Sequence, residues 1–278
     1  MAFSQPHRPS AGAIPSLIKW TGSKRAQALR IVDLFPSFDR YFEPFLGGGA
    51  LLYFAGPHAS FAGDIYKPLV DFWKQVQTAP GQIIHSYERE WRKLQAGPPG
   101  HFYKVRERFN RAPNPFDLCF LTRTCVNGII RFNDKGHFNN SFHLSRRGMS
   151  PDRFAAAVKD WGEKLRHVTF HCGDYEETLS GIRKNDFAYL DPPYAGSRNR
   201  YVKNLDQNRL FKVLDRLSTR GTKWALSFDG TRDRVDLRTE LPPSLYKRHF
   251  LLSSGHSLVK KVLSGNVQEV RESLYLNY

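Results

Sequence analysis

The sequence predicts an α/β domain in two pieces, with a helical-plus-hairpin segment inserted between them. Three observations lead there. Short apolar runs each end in a glycine turn or an acid: Arg40–Leu46 before Gly47-Gly48-Gly49, Ala59–Ile65 around Asp64, and Phe187–Leu190 before Asp191. Helical patterns alternate with these runs, which is the rhythm of a parallel sheet. Between residues 68 and 150 that rhythm stops, and charged helical stretches lead into one hairpin pattern. The expected division is a flexible arm over 1–16, a main domain over 17–67 and 151–278, and an insert over 68–150.

The arm is rich in Pro, Ser and Gly and holds no continuous apolar run, so a secretory signal is not expected. Ser23–Phe35 reads as a helix, with Ser23 as N-cap and Pro36 as stop. Arg40–Leu46 is aromatic and apolar, a buried strand, and Ala50–Ala55 starts a helix beyond its glycine turn. Ala59–Ile65 is a second strand and Leu69–Val76 a second helix. Strand, glycine turn, helix, strand, acid is the order of a nucleotide-binding βαβ unit. In the insert, His85–Gln95, His101–Asn110 and Pro115–Thr124 are helical. A hairpin follows, with arms Ile129–Asn133 and His137–Leu144 about the turn Asp134-Lys135-Gly136. Strands are then expected at Val168–Cys172, Phe187–Leu190, Trp224–Phe228 and Glu272–Tyr278, and helices at Arg153–Leu165, Tyr175–Ile182 and Asp206–Arg220.

Composition narrows the function. No apolar run approaches the roughly 20 residues that span a bilayer. Cys119, Cys125 and Cys172 are odd in number and form no C-x-x-C, so neither a disulfide framework nor a zinc site is expected, and the cysteine usage suits the cytoplasm. The ten histidines show no H-x-x-x-H or H-E-x-x-H spacing, and no metal is expected. Lys and Arg total 42 against 26 acids, a net charge of +16, which favours a polyanionic partner such as nucleic acid. The basic residues interleave with aromatic and polar ones across 123–147, as a folded binding face does.

Three constellations carry chemistry. Gly47-Gly48-Gly49 after a strand lets a small ligand approach the backbone, and Asp64 at the end of the next strand can accept hydrogen bonds from a ribose diol. The triplet lacks both the spaced dinucleotide pattern and a phosphate loop, which argues against NAD and ATP. In Leu17–Lys24, Trp20 can wall an adenosine pocket and Lys24 can reach a carboxylate; a plain helix start with a packing Trp and a solvated Lys is the alternative. In Asp191-Pro192-Pro193-Tyr194, the carboxylate falls at the C-terminal end of an apolar strand, where open α/β sheets bind ligands. An exocyclic adenine or cytosine amine is a poor nucleophile, because its lone pair is delocalised into the ring. Acceptors on its two N–H groups, the Asp191 carboxylate and the Pro192 carbonyl, turn that pair toward an electrophilic methyl. The prolines fix the backbone and remove competing donors, and Tyr194 offers a stacking face. A loop that merely ends a strand is the alternative.

Taken together, Lys19-Trp20-Thr21-Gly22-Ser23-Lys24, Glu43-Pro44-Phe45-Leu46-Gly47-Gly48-Gly49, Gly63-Asp64-Ile65 and Asp191-Pro192-Pro193-Tyr194 resemble the Dam-like, alpha-arrangement DNA adenine N6-methyltransferases. The resemblance implies a Rossmann-like sheet binding S-adenosyl-L-methionine, with the insert as target-recognition domain. It implies cofactor contacts at Trp20, Lys24, Phe45, Gly47, Gly49, Asp64, Ile65, Asp174, Tyr175 and Asp191. It also implies a hairpin that approaches DNA, with Asn127, Ile129, Arg131 and Asn133 beside Lys19, and Arg131 suited to a guanine edge. The stretch after Tyr194 is small and basic; Arg198 and Tyr201 can order around a flipped nucleotide or form a surface loop. Two departures stand out. The first block reads W-T-G-S-K where W-A-G-G-K is usual, and Arg123-Thr124-Cys125-Val126 departs from the aromatic-rich Dam sequence, which argues against GATC as target. The expected activity is adenine N6 methylation of duplex DNA at a short specific sequence, by a monomer. A cognate restriction endonuclease, as a functional partner without a stable complex, is one expectation; an enzyme that acts alone or is phage-encoded is the alternative. Cytosine N4 methylation, an RNA substrate and a non-catalytic DNA-binding subunit are the alternatives. The acid clusters of a two-metal nuclease are not evident.

Overall fold

The computed structural model describes residues 14–56, 58–193, 205–232, 235–236, 240–256 and 269–278; Tyr194, Arg198 and Tyr201 lie outside them. Strands β1 (Tyr41–Glu43), β2 (Ser60–Asp64), β3 (Val168–Cys172), β4 (Phe187–Leu190), β5 (Lys223–Arg232), β6 (Val235–Asp236), β7 (Arg248–His256) and β8 (Glu269–Leu276) form one sheet. Its order is β3-β2-β1-β4-β5-β8-β7, with β6 added beside β5. The five strands from β3 to β5 pair in parallel. β8 runs antiparallel to both neighbours, β5 and β7.

Helices cover both faces, which is why the parallel strands are nearly continuously apolar. Alternation along the strands sorts the side chains into two cores. Tyr41, Phe187, Tyr189, Ala225, Leu274 and Leu276 face one of them. Phe42, Ala188, Leu190, Trp224, Leu226 and Tyr275 face the other. The second core is capped by α8 (Tyr175–Thr178) and α9 (Gln207–Thr219). The first holds α1 (Ala28–Val32), α2 (Leu52–Ala55), α3 (Lys67–Thr78) and α7 (Pro151–Lys164), and runs on without a break into the insert helices α4 (Pro80–Ala96), α5 (Gly100–Arg111) and α6 (Pro115–Thr124). The buried indoles of Trp73 on α3 and Trp161 on α7 meet at 4.6 Å, in the middle of that shared core.

Several expectations need correction. The helix expected over Ser23–Phe35 is a 3₁₀ turn, Lys24–Ala26, followed by the short α1. Ser23 makes no side-chain cap bond; its Oγ is buried without a partner among the described residues, and the tight first turn leaves Lys24 facing inward. The helix expected over Tyr175–Ile182 ends at Thr178. The hairpin forms about its expected turn, with Asn133 N donating to His137 O and Asn139 N to Arg131 O, both at 2.9 Å, and the bridge Phe132↔Phe138; its arms are bridged and not regular strands. Asparagine side chains add further bonds. Asn133 Oδ1 accepts from Lys135 N at 3.0 Å and His137 N at 2.9 Å, and Asn140 Nδ2 donates to Val126 O and Ile129 O. β7 was not expected, because Arg248–His256 mixes charged, apolar and small residues without a clear period. Ile14–Ser16, within the expected arm, are packed: Trp161 Nε1 donates to Pro15 O at 2.6 Å, and buried Arg123 Nη1 donates to Leu17 O at 3.0 Å and to Ser16 O. Among the described residues no helix is long and apolar enough to cross a membrane.

β5 and β8 shift register between Phe228 and Thr231, so Asp229 and Gly230 bulge opposite Glu272. A Cβ on Gly230 would lie 1.9 Å from Arg271 O. Gly230→Ala is therefore expected to destabilise the protein by about 2 to 4 kcal/mol in urea unfolding. Gly81→Ala on α4, where a Cβ meets nothing within 4 Å, is expected to be neutral or slightly stabilising. Equal stability of the two variants would count against a bulge that needs glycine.

Candidate active site

The chain moves outward from β1 to β2 and β3, then returns to place β4 on the other side of β1. At such a reversal the loops leaving the two central strands diverge and open a crevice at their C-terminal ends. The cleft there is lined by Trp20–Lys24, Glu43–Leu51, Asp64–Tyr66, Gly173–Tyr175, Tyr189, Asp191, Pro193, Leu205, Asp206, Arg209 and Phe132 of the hairpin. All ten residues expected at a cofactor line it together. Pro192 is buried and does not line it. Lys19, Asn127, Ile129, Arg131 and Asn133 lie off the cleft, although Phe132 brings the hairpin to its edge.

The floor is the glycine turn. Gly47 and Gly49 have φ of 48° and 66°, in the left-handed region that favours glycine. A Cβ on Gly47 would sit 2.8 Å from Trp20 Cδ1, so the turn also makes room for the indole. Trp73 Nε1 donates to Gly47 O at 3.1 Å and ties the turn to the core. Asp64 closes the turn from below, accepting from Gly47 N at 3.2 Å and Tyr66 N at 3.0 Å. Burial raises the Asp64 carboxyl above its ordinary range, and these backbone N–H groups oppose the rise. One wall is Phe45 stacked on Tyr175, ring centres 5.2 Å apart. Asp174 caps α8 through Glu176 N and takes Arg209 in a fork at 2.9 and 2.7 Å; Arg209 in turn lies over the Tyr175 ring. An aromatic string runs from Trp20 to Tyr66 to Phe132, with centres 6.3 and 5.5 Å apart, and links the cleft to the hairpin.

At the other end lies a buried polar group. Lys24 is 4% exposed, and its Nζ is 2.7 Å from Asp191 Oδ1, 3.1 Å from Gly22 O and 3.5 Å from Glu272 Oε2. Lys24 is therefore not a solvated helix-start residue, and the carboxylate it reaches is the protein's own. Glu43 leaves β1 beside this group, with Tyr41 Oη donating to its Oε2 at 2.9 Å. Burial pushes the Glu43 carboxyl up to about 8; the Tyr41 hydroxyl pulls it down and the charge of Asp191 adds to the rise. Tyr189 Oη and Ser227 Oγ share a hydrogen bond of 2.6 Å beneath. Glu43 stands in the Glu43–Gly49 motif without an expected role, and Tyr66, Arg209 and Glu272 were not expected at the site. A polar residue set in an apolar strand was the available signal for Glu43 and Glu272; nothing local marked Arg209.

A doubly wound sheet of this order, with a glycine turn, an acid after β2 and Asp-Pro-Pro after β4 around one cleft, defines a Rossmann-like methyltransferase. A family model described as D12 class N6 adenine-specific DNA methyltransferase matches residues 20–258, and the chain belongs to that family. It is 31% identical over 245 residues to the Type II methyltransferase M.MjaIII of Methanocaldococcus jannaschii, covering 77% of this chain and 84% of that protein. It is 27% identical over 216 residues to the Retron Ec67 DNA adenine methylase of Escherichia coli, covering 74% of each. With the DNA N-6-adenine-methyltransferase of Escherichia phage P1 it shares 28% over 242 residues, 80% of this chain and 31% of that one.

The raised Glu43 value has a consequence for stability. Between pH 4.5 and about 8 the folded protein keeps a proton that the unfolded chain releases, so this group's contribution falls as pH rises through that window. Glu43→Gln cannot lose a proton. Its unfolding free energy relative to wild type is expected to climb across that window and level off above it, as read from urea titrations at a series of pH values. Parallel curves would show that Glu43 does not titrate there.

Proposed function

We propose that this protein transfers a methyl group from S-adenosyl-L-methionine to N6 of adenine in duplex DNA, at a short specific sequence and on a base flipped into the cleft. The observation that carries the reading is that Asp191, at the end of β4, opens into the same cleft as the glycine turn and Asp64.

The cleft suits an adenosyl group without phosphates. Its floor approaches through glycine backbone, its walls are Trp20, Phe45, Ile65 and Tyr175, and both Asp64 oxygens keep lone pairs beyond their backbone bonds. Ser23 Oγ and Tyr175 Oη belong to residues that line it and are buried polar atoms without a hydrogen-bond partner among the described residues, the state expected of groups that bond to a ligand. Trp20, Phe45, Gly47, Gly49, Asp64, Ile65, Asp174 and Tyr175 would hold the cofactor, with Lys24 at the end nearest Asp191. When bound, it supplies an electrophilic methyl on a sulfonium centre.

The chain's own residues do the rest. Asp191, which lines the cleft, accepts one N–H of the adenine amine; the other would go to the carbonyl of Pro192, a residue buried behind the lining, and the two acceptors together turn the nitrogen lone pair out of the ring and toward the methyl. Positioning and fixed charge supply the rate, with no covalent enzyme adduct. Pro193 lines the cleft, and Tyr194, outside the described residues, would offer the base a stacking face. The net charge of +16 draws DNA to the protein. Exposed Arg131, its Nε on Asn139 Oδ1 at 3.0 Å, presents its remaining donors to a base edge or phosphate. Lys19 lies across Gly128 beside it, with Asn127 and Ile129 in the same turn. Asn133 supports the hairpin tip more than it reaches outward. A monomer suffices for this one-base reaction, and a cognate restriction endonuclease would be a functional partner only.

Mass analysis of nucleosides from treated duplex DNA is expected to show N6-methyladenine; N4-methylcytosine alone, or no methylated base, would sink the reading. Asp191→Ala is expected to lower methylation by at least about 100-fold, because a positioned acceptor is lost. DNA affinity in the same variant should stay near that of wild type, by mobility shift. Asp64→Ala is expected to weaken S-adenosyl-L-methionine binding by about tenfold or more in equilibrium dialysis, the effect of losing bonds to a charged acceptor. Unchanged binding would remove Asp64 from the cofactor site.

A further inference from the structure

We infer that Glu272, on the last strand, is a positioning residue for methyl transfer: it shares the Lys24 ammonium with Asp191, and so sets the aim and acceptor strength of the Asp191 carboxylate. The inference rests on the role of Asp191 given above, and it adds a residue far from any motif.

Three features of the fold converge on Glu272. It follows the row of Leu274 and Leu276, both buried against the sheet, at a place where alternation calls for another apolar residue. The bulge at Asp229 and Gly230 falls opposite it, and bulges beside active sites re-aim side chains. The carboxylate so aimed meets Lys24 at 3.5 Å, and among the described residues it has no other ion pair. At that distance the contact is between charges, whereas Lys24 gives its close contacts to Asp191 at 2.7 Å and Gly22 O at 3.1 Å.

This arrangement solves an electrostatic problem. A lysine paired with Asp191 alone would fix the carboxylate but also spend it, because an acceptor neutralised by a buried ammonium binds an amine N–H weakly. A second carboxylate on the same ammonium leaves Asp191 fixed and still electron-rich. The carboxylates of Asp191 and Glu272 both face the single ammonium of Lys24, while burial favours the protonated form of Glu43 beside them. The amine nitrogen gains positive charge as its bond to the methyl forms, and a fixed negative charge favours that state.

The test compares Glu272→Gln, which keeps size and removes charge, with Glu272→Asp, which keeps charge, and with Ser273→Ala as a control on the same strand. Single-turnover methylation of duplex DNA, affinity for DNA and for S-adenosyl-L-methionine, and melting temperature are measured for each. Glu272→Gln is expected to slow methylation by about tenfold or more, with both affinities and the melting temperature near wild type. Glu272→Asp should recover part of the rate. In ¹⁵N-lysine-labelled protein the Lys24 side-chain resonance should move in Glu272→Gln and stay in place in Ser273→Ala. A rate for Glu272→Gln within about twofold of wild type, less than one fixed charge supplies, overturns the inference. So does a loss of rate that only follows a fall in melting temperature, or an unmoved Lys24 resonance. If wild type transfers no methyl group, the functional reading fails, while the resonance still decides whether Glu272 holds Lys24.

Discussion

Because β2 and β3 lie to one side of β1 while β4 and β5 lie to the other, the loops leaving β1 and β4 part at their C-terminal ends. Every other feature of the site depends on that reversal. It places Glu43 and Asp191 at the ends of neighbouring parallel strands, puts the glycine turn between them, and leaves a crevice that no side chain of the sheet can fill. A parallel strand can be followed only by a long crossover, so each return to the sheet delivers a new loop to the same edge. Asp64, Asp174 and Asp191 arrive there one crossover after another.

Gathering acids at one edge has an electrostatic cost, which the protein meets in three ways. Asp64 is held by backbone N–H groups. Asp174 is held by the Arg209 fork and by its cap on α8. Asp191 is held by Lys24. Glu43 receives no cation of its own and keeps its proton instead. Removing one partner from such a buried group leaves the other uncompensated, which is why these side chains act as a set. Asp191 opens to the cleft with Lys24 on one of its oxygens, which suits an acceptor for a substrate amine.

The insert joins this edge through packing more than through charge. Its helices share one core with the sheet, so hairpin and cleft are braced by the same side chains. The string from Trp20 through Tyr66 to Phe132 carries that bracing to the cleft mouth. Buried Arg123 fastens the N-terminal segment to α6, so the residues before Trp20 are positioned by the insert. The hairpin itself is held by a few backbone bonds between its arms and by asparagine side chains. Its exposed positions are thereby left to Arg131 and its neighbours.

Much of this was legible in the chain. β3 and β4 run over the predicted residues, because Val168–Cys172 and Phe187–Leu190 are short apolar runs bounded by turn residues, and burial on both faces needs nothing more. The glycine turn, the acid after β2 and the Asp-Pro-Pro after β4 were legible for the same reason: each is a local requirement written in adjacent residues. Ser23 as a cap and the long first helix were misread, since a tight first turn that buries Lys24 against Asp191 took their place. β7 and the bulge were invisible, because an antiparallel edge is specified by the strand it meets. The sequence by itself therefore determined the parallel part of the sheet, the family and the cleft residues that lie in motifs, through local pattern. Only the tertiary structure decided that Lys24 turns inward to Asp191, that Glu43 keeps its proton and that Glu272 joins them. Those outcomes depend on burial and on distances between far-apart residues, and no spacing along a chain encodes either.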